Sequence, residues 1–198
     1  MKSFARLISD RITDSITVKT KLMSQAGADI EICGNNLAKV LQKGCKIMLC
    51  GNGGSAADSQ HIAAELVVRL RSNINRAAIP AMALTVDSSI LTAGGNDHGF
   101  DEIYARQVEA FGKKGDALIA ISTSGESENV LRAIEKANEL GIEVYGLLGK
   151  KGGKMYKECK NFVIVPSDDT ARIQESHILI GHIWCEIIEE TLFPELFS

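Results

Sequence analysis

Residues 50–66, CGNGGSAADSQHIAAEL, decide how the chain is read. An apolar strand over 46–50 runs into a glycine-rich turn, and the turn opens a helix carrying His61 and Glu65. Gly51, Gly53 and Gly54 let the backbone approach an anion closely, Ser55 is placed to cap the helix, and the helix N-terminus presents N–H groups without intrahelical partners. The turn therefore reads either as a phosphate cradle or as plain helix capping. It is neither a dinucleotide-binding glycine fingerprint nor a P-loop. His61 and Glu65 stand four residues apart on one helix face. They form either a surface pair or half of a metal or proton-transfer site.

Working outward, further short apolar segments lie at 81–85, 117–122, 143–148 and 162–165, each followed by turn residues and separated by helical patterns. Continuous apolar strands alternating with helices imply an α/β fold with a parallel sheet covered on both faces, and ligands bound at the carboxyl ends of its strands. The 117–122 strand runs into ISTSGES, residues 121–127, whose Ser122, Thr123, Ser124 and Ser127 hydroxyls precede a helix over 127–140. Hydroxyl donors at a helix N-terminus suit a phosphate. Both loops are expected on the same rim of the sheet.

Ahead of the first strand, Phe4, Leu7, Ile8, Ile12 and Ile16, then Leu22, Ile30, Leu37, Val40 and Leu41, repeat at helical spacing. The pattern predicts a helical arm with a break near Gly27 and an end at Gly44. Such an arm packs on another copy of the chain or covers its own sheet. Asp87 should cap a short helix over 87–91, ending in the turn Gly94-Gly95-Asn96-Asp97. Phe100, Ile103, Tyr104, Val108 and Phe111 form another helical stripe. The glycine-containing basic loop 150–154 reads as a solvated turn.

The last helix, over 170–192, is apolar yet carries Gln174, His177 and His182. Either histidine alone could be a satisfied core residue. Gln174 and His182 differ by about 80° around the helix and about 12 Å along it, and Gln174 and His177 by about 60° the other way. Periodicity therefore does not choose between the histidines.

The chain has 198 residues, 45% hydrophobic and 24% charged, with a net charge of -3. One soluble domain over 1–198 is expected, with 1–44 as its helical arm. The charge balance offers no general attraction for nucleic acid and points to a small phosphorylated ligand. Cys33, Cys45, Cys50, Cys159 and Cys185 form no CxxC pair and are odd in number, which argues against a disulfide framework and for a reducing, cytoplasmic setting. MKSFARLISDR lacks the pattern of a signal-peptide core, and no apolar run is long enough to span a membrane.

CGNGGSAADSQHIAAEL, GNDHGF, ISTSGESENV and TARIQESHILIGH, in this order and spacing, closely resemble the sedoheptulose 7-phosphate isomerases, or phosphoheptose isomerases, of the sugar isomerase (SIS) domain family. The resemblance covers nearly the whole chain. It implies a three-layer αβα sandwich around a five-stranded parallel sheet preceded by N-terminal helices, and an aldose–ketose isomerase forming D-glycero-D-manno-heptose 7-phosphate through an enediol. It implies one zinc per subunit on His61, Glu65, Gln174 and His182, with Glu65 and His182 in acid–base catalysis. This favours His182 over His177.

By the same resemblance, Asn52, Gly53, Gly54, Ser55, Glu65, Asn96, Asp97 and Gln174 meet the sugar, and Ser122, Thr123, Ser124 and Ser127 hold the phosphate. A homotetramer is implied, with the arm between subunits, active sites at their interfaces and the residues of the last helix open to supply from either subunit. Some relatives have an aspartate directly before the arginine of RIQE, where this chain has Ala171, with Asp169 as a substitute nearby. A non-catalytic relative binds the replication initiator DnaA and has a tail like TLFPELFS, but it does not keep the metal and acid–base residues present here. A sugar-phosphate-sensing module is the third possibility.

Overall fold

The N-terminal periodicity folds as one helix, α1 (Ala5–Gln42), 38 residues long, in the computed structural model, which describes residues 3–197. The expected break at Gly27 does not occur, so the arm is a single helix. A glycine inside a helix costs only about 1 kcal/mol relative to alanine, and buried Ala26 and Ile30 hold the helix on either side of it. The stripe divides into two parts. From Val18 onward the stripe residues Val18, Leu22, Ile30, Leu37, Val40 and Leu41 are buried against the rest of the chain, whereas Phe4, Leu7, Ile8, Ile12 and Ile16 remain 53–60% exposed. Covering the protein's own sheet thus accounts for the second half of α1 only.

After α1 the chain alternates: β1 (Ile47–Gly51), α2 (Gly54–Val67), β2 (Ala81–Ala83), α3 (Ser88–Asp97), a 3-10 turn (Phe100–Glu102), α4 (Ile103–Phe111), β3 (Ala117–Ser122), α5 (Glu128–Glu139), β4 (Glu143–Gly149), α6 (Met155–Glu158), β5 (Asn161–Val165) and α7 (Thr170–Leu192). The five strands are all parallel, in the order β2-β1-β3-β4-β5. Alternate side chains point to opposite faces. Ile47, Leu49, Ile119, Ile121 and Leu147 enter the layer with α1, α2 and α7. Met48, Cys50, Leu118, Ala120 and Val144 enter the layer with α4 and α5. The result is the expected three-layer αβα sandwich.

Asp87 does cap α3, accepting from the Ile90 N–H at 2.9 Å. The helix then continues through Gly94 and Gly95 to Asp97 rather than ending at residue 91. The glycines are tolerated there because the His98 N–H still donates to the Gly94 carbonyl, extending the ladder. Among the described residues the five cysteines are free thiols, and no helix is long and apolar enough to cross a membrane.

Candidate functional site

The chain crosses from one side of β1 to the other between β2 and β3, so the loops leaving β1 and β3 diverge at the carboxyl edge of the sheet. This is the switch point at which open α/β sheets bind ligands. The two strands pair in register from Ile47 with Ala117 to Gly51 with Ile121, which sets the glycine turn beside the hydroxyl loop. The expected common rim is present.

In the glycine turn, Gly53 precedes the helix with φ 56° and ψ -118°. Only glycine takes that conformation readily. The expected cap by Ser55 is not made. Helix α2 begins one residue earlier, so Ser55 lies buried inside the first turn, its N–H donating to the Asn52 carbonyl at 3.0 Å. Tyr104 supports the turn by donating its hydroxyl to the Gly51 carbonyl at 2.6 Å.

In the hydroxyl loop, Ser122 Oγ lies 3.0 Å from Ser127 Oγ and 3.4 Å from Ser124 Oγ, and accepts the Gly125 N–H at 3.1 Å. Thr123 is half-buried beside them. Ser127 occupies the position before α5 without bonding its helix through the side chain. Clustered hydroxyls at the start of a 12-residue helix form an anion-compatible surface. Gly125 has φ +68°, and a Cβ there would run into the Gly152 carbonyl. The basic loop is accordingly more than a solvated turn. Its backbone docks on the hydroxyl loop, with Met155 N–H donating to the Gly125 carbonyl and Lys154 N–H to Glu126 Oε1, both at 3.1 Å.

The two loops are tied by Asn129, which the sequence reading passed over. Its amide and that of Asn52 exchange two hydrogen bonds, at 2.7 and 2.9 Å, and Asn129 is 2% exposed. A buried polar side chain on the apolar face of α5 was the available signal. The Asn52 amide is thereby committed to holding the loops together.

Helices α2 and α7 run side by side in the same direction. A Cβ on Gly54 would strike the Gln174 amide, with Cδ at 2.9 Å, and one on Gly181 would meet Ile62 Cγ1 at 2.7 Å. Missing side chains therefore allow the close approach. Gln174 and His182 do not converge within the chain, and α7 does not bend to bring them together. Gln174 lies on the first turn of α2, and His182 meets His61 about two turns further along. His182 comes from the same chain as His61.

His61 Nε2 is 2.9 Å from His182 Nε2 and 3.2 Å from Glu65 Oε1. One donor atom from each of the three residues lies within 4.8 Å of the others. Donors about 2 Å from one zinc ion must lie roughly 3–4 Å apart, so this nitrogen and oxygen set fits such an ion. His61 is 48% exposed and Glu65 20%, so the cluster opens to one side.

Asp58 extends the same stripe of α2, a further residue the sequence reading missed. It lies three residues before His61 and seven before Glu65, a helical spacing that was there to be seen. Burial raises its carboxyl to about 6 against a lowering influence from His61, and Oδ2 has no protein partner among the described residues.

The other candidates lie elsewhere. Asn96 and Asp97 are exposed at the end of α3, where the Asn96 amide donates to Asp97 Oδ1 at 2.7 Å. Leu91 packs α3 with the α4 and α5 layer, on the other face of the sheet from α7. Asp169 caps α7 by accepting from Ala171 N–H at 2.8 Å and pairs with Arg11 at 4.0 Å, which gives its carboxylate a structural task.

His177 is fully buried and donates from Nε2 to the Leu148 carbonyl at 3.0 Å. Burial lowers its pKa from 6.5 to about 4. Below pH 6.5 the unfolded chain binds a proton that the folded chain refuses. Stability is therefore full above pH 6.5 and falls as the pH drops towards about 4, by up to about 1.4 kcal/mol per pH unit. Urea midpoints of the wild type and His177→Gln at pH 7 and pH 4.5 should show a smaller acid loss in the variant. Equal losses would remove His177 as a cause.

The description "SIS domain" belongs to a family model matching residues 12–149. A phosphoheptose isomerase of Clostridium acetobutylicum is 52% identical over 198 residues, covering 98% of each chain. The solved phosphoheptose isomerase of Neisseria gonorrhoeae superimposes with a TM-score of 0.89 at 39% identity, over 95% of this chain and 100% of that one. That of Francisella tularensis gives 0.91 at 36% identity, over 96% and 100%.

Proposed function

Since the chain belongs to the SIS domain family, within it to the phosphoheptose isomerases, we infer that it is the isomerase converting sedoheptulose 7-phosphate to D-glycero-D-manno-heptose 7-phosphate for bacterial heptose synthesis. The observation that carries this is the convergence of His61, Glu65 and His182 on the stretch that also opens the switch-point crevice. Residues 1–198 act as one domain with 1–44 as its arm.

The reaction moves a hydrogen between C1 and C2 and shifts a proton between their oxygens, through an enediol. Glu65, held by His61, takes the carbon-bound proton and returns it to the neighbouring carbon. His182 exchanges the proton between hydroxyl and carbonyl oxygens. Ser122, Thr123, Ser124 and Ser127 hold the phosphate, and the glycine turn with Ser55 borders the sugar. Asn96 and Asp97, which lie apart from this cluster within the chain, would meet the sugar in the site of a neighbouring copy. His61, Glu65 and His182 would hold one zinc per subunit, and Gln174, which lies against Gly54 about two turns away in the same chain, would complete the set only if supplied by a neighbouring copy. Such an ion polarises a carbonyl and stabilises developing negative charge.

The open cluster and the exposed first half of α1 suit a homotetramer in which neighbouring copies close the sites. The expected setting is the cytoplasm, with no nucleic-acid or membrane partner. Purified protein incubated with sedoheptulose 7-phosphate should form the aldose and carry about one zinc per subunit. No metal and no turnover, together with specific binding to DnaA, would favour the replication-regulator reading instead. Tight sugar-phosphate binding with the ketose recovered unchanged would favour a sensor.

A further inference from the structure

The connection between α2 and β2 carries a buried ion pair that the acid–base reading does not use. Arg76 and Glu189 both have side chains 0% exposed, and Arg76 Nε donates to Glu189 Oε1 at 2.7 Å. The rest of the guanidinium is occupied by backbone. Nη2 donates to the carbonyl of Glu65 at 2.7 Å, and Nη1 to those of Leu66 and Ala77 at 2.9 and 3.0 Å. The Leu70 N–H reaches the same Glu189 oxygen at 3.5 Å, while Oε2 has no protein partner among the described residues.

Burying two charges is costly, and a well-packed apolar pair often serves stability as well or better. The location of the pair points to positioning. The carbonyls of Glu65 and Leu66 are among the last in α2, which lack helical N–H partners and carry the negative end of the helix dipole. A planar guanidinium reaches several such acceptors at once, as a lysine ammonium does not. Glu189 follows His182 by seven residues, so the two share nearly the same face of α7 about 10 Å apart. One side chain thus holds the backbone of Glu65 and the helix that presents His182.

We propose that Arg76, through Glu189, is a positioning residue that sets the separation of Glu65 and His182 and thereby the affinity of their site for a metal ion. This rests on the isomerase reading only for its kinetic consequence.

The test uses the full chain with Co(II) as a visible probe of the site. Arg76→Leu combined with Glu189→Leu removes both charges without leaving one buried alone. The double variant should keep its secondary structure, with a lowered melting temperature because the Glu65 and Ala77 carbonyls lose their donor. Its Co(II) affinity, from chelator competition, should fall by about 10- to 100-fold, the usual effect of losing support behind a metal ligand, with an altered visible spectrum. The kcat should fall while KM changes little, because the hydroxyl loop is untouched.

Wild-type affinity, spectrum and kcat in a folded double variant would overturn the proposal. If that variant does not fold, Glu189→Gln decides by the same Co(II) measurements, reduced affinity supporting the proposal and unchanged affinity overturning it. A wild type that binds Co(II) without turnover defeats the isomerase reading and leaves positioning to the affinity result. A wild type that binds no Co(II) overturns the positioning proposal.

Discussion

Glu65→Gln and His182→Ala are each expected to lower turnover of sedoheptulose 7-phosphate by about 10²- to 10⁴-fold, the range that a positioned acid or base contributes. Glutamine keeps the shape of Glu65 but cannot take a proton from carbon. Alanine at residue 182 removes the ring that lies 2.9 Å from His61. Both positions are only partly buried, so the variants should remain folded. The hydroxyl loop is untouched in either, which predicts that the loss falls mainly on kcat and leaves KM nearly unchanged. Steady-state kinetics with matched circular dichroism check this. Turnover retained in both variants would remove these residues from the mechanism.

The second large effect concerns stability. Trp184→Ala should cost about 3–5 kcal/mol, a substantial share of the roughly 5–15 kcal/mol that holds a typical domain folded. Trp184 is 1% exposed on α7, and its indole N–H donates to the Ile30 carbonyl on α1 at 3.0 Å. Its ring edge lies over Gly34, where a Cβ would come within 3.2 Å of Cδ1. Truncation leaves a cavity between α1 and α7 and removes the hydrogen bond across them. Trp184→Phe should cost less, because most of the ring remains. Urea titration followed by circular dichroism measures both, and a loss below about 1 kcal/mol for alanine would show that α1 is anchored elsewhere.

Several expectations rested on local signals that the fold outweighed or did not follow. Gly27, Gly94 and Gly95 read as helix breakers, yet α1 and α3 pass through them. Local propensity at glycine is worth only about 1 kcal/mol, and packing of the flanking residues outweighs it. Ser55 read as a cap because its residue type suits that role, but Gly53 with its positive φ starts the helix earlier. Asn129 and Arg76 were missed because their partners, Asn52 and Glu189, lie 77 and 113 residues away. Asn129 stood out only as a polar residue on an apolar helix face, and neither position names its distant partner.

The residues at 50–66 by themselves determined the strand, the glycine turn and the shared face of His61 and Glu65, because helix and strand periods are local properties of the backbone. The alternation of apolar strands and helices likewise determined a covered parallel sheet. Only the tertiary structure decided which histidine of α7 joins them. His177 turns into the core against Leu148, while His182 reaches His61. That choice depends on α7 lying parallel to α2, with Gly54 and Gly181 admitting Gln174 and Ile62. Which face of one helix meets another is set by the shape of both, and neither segment carries that information alone.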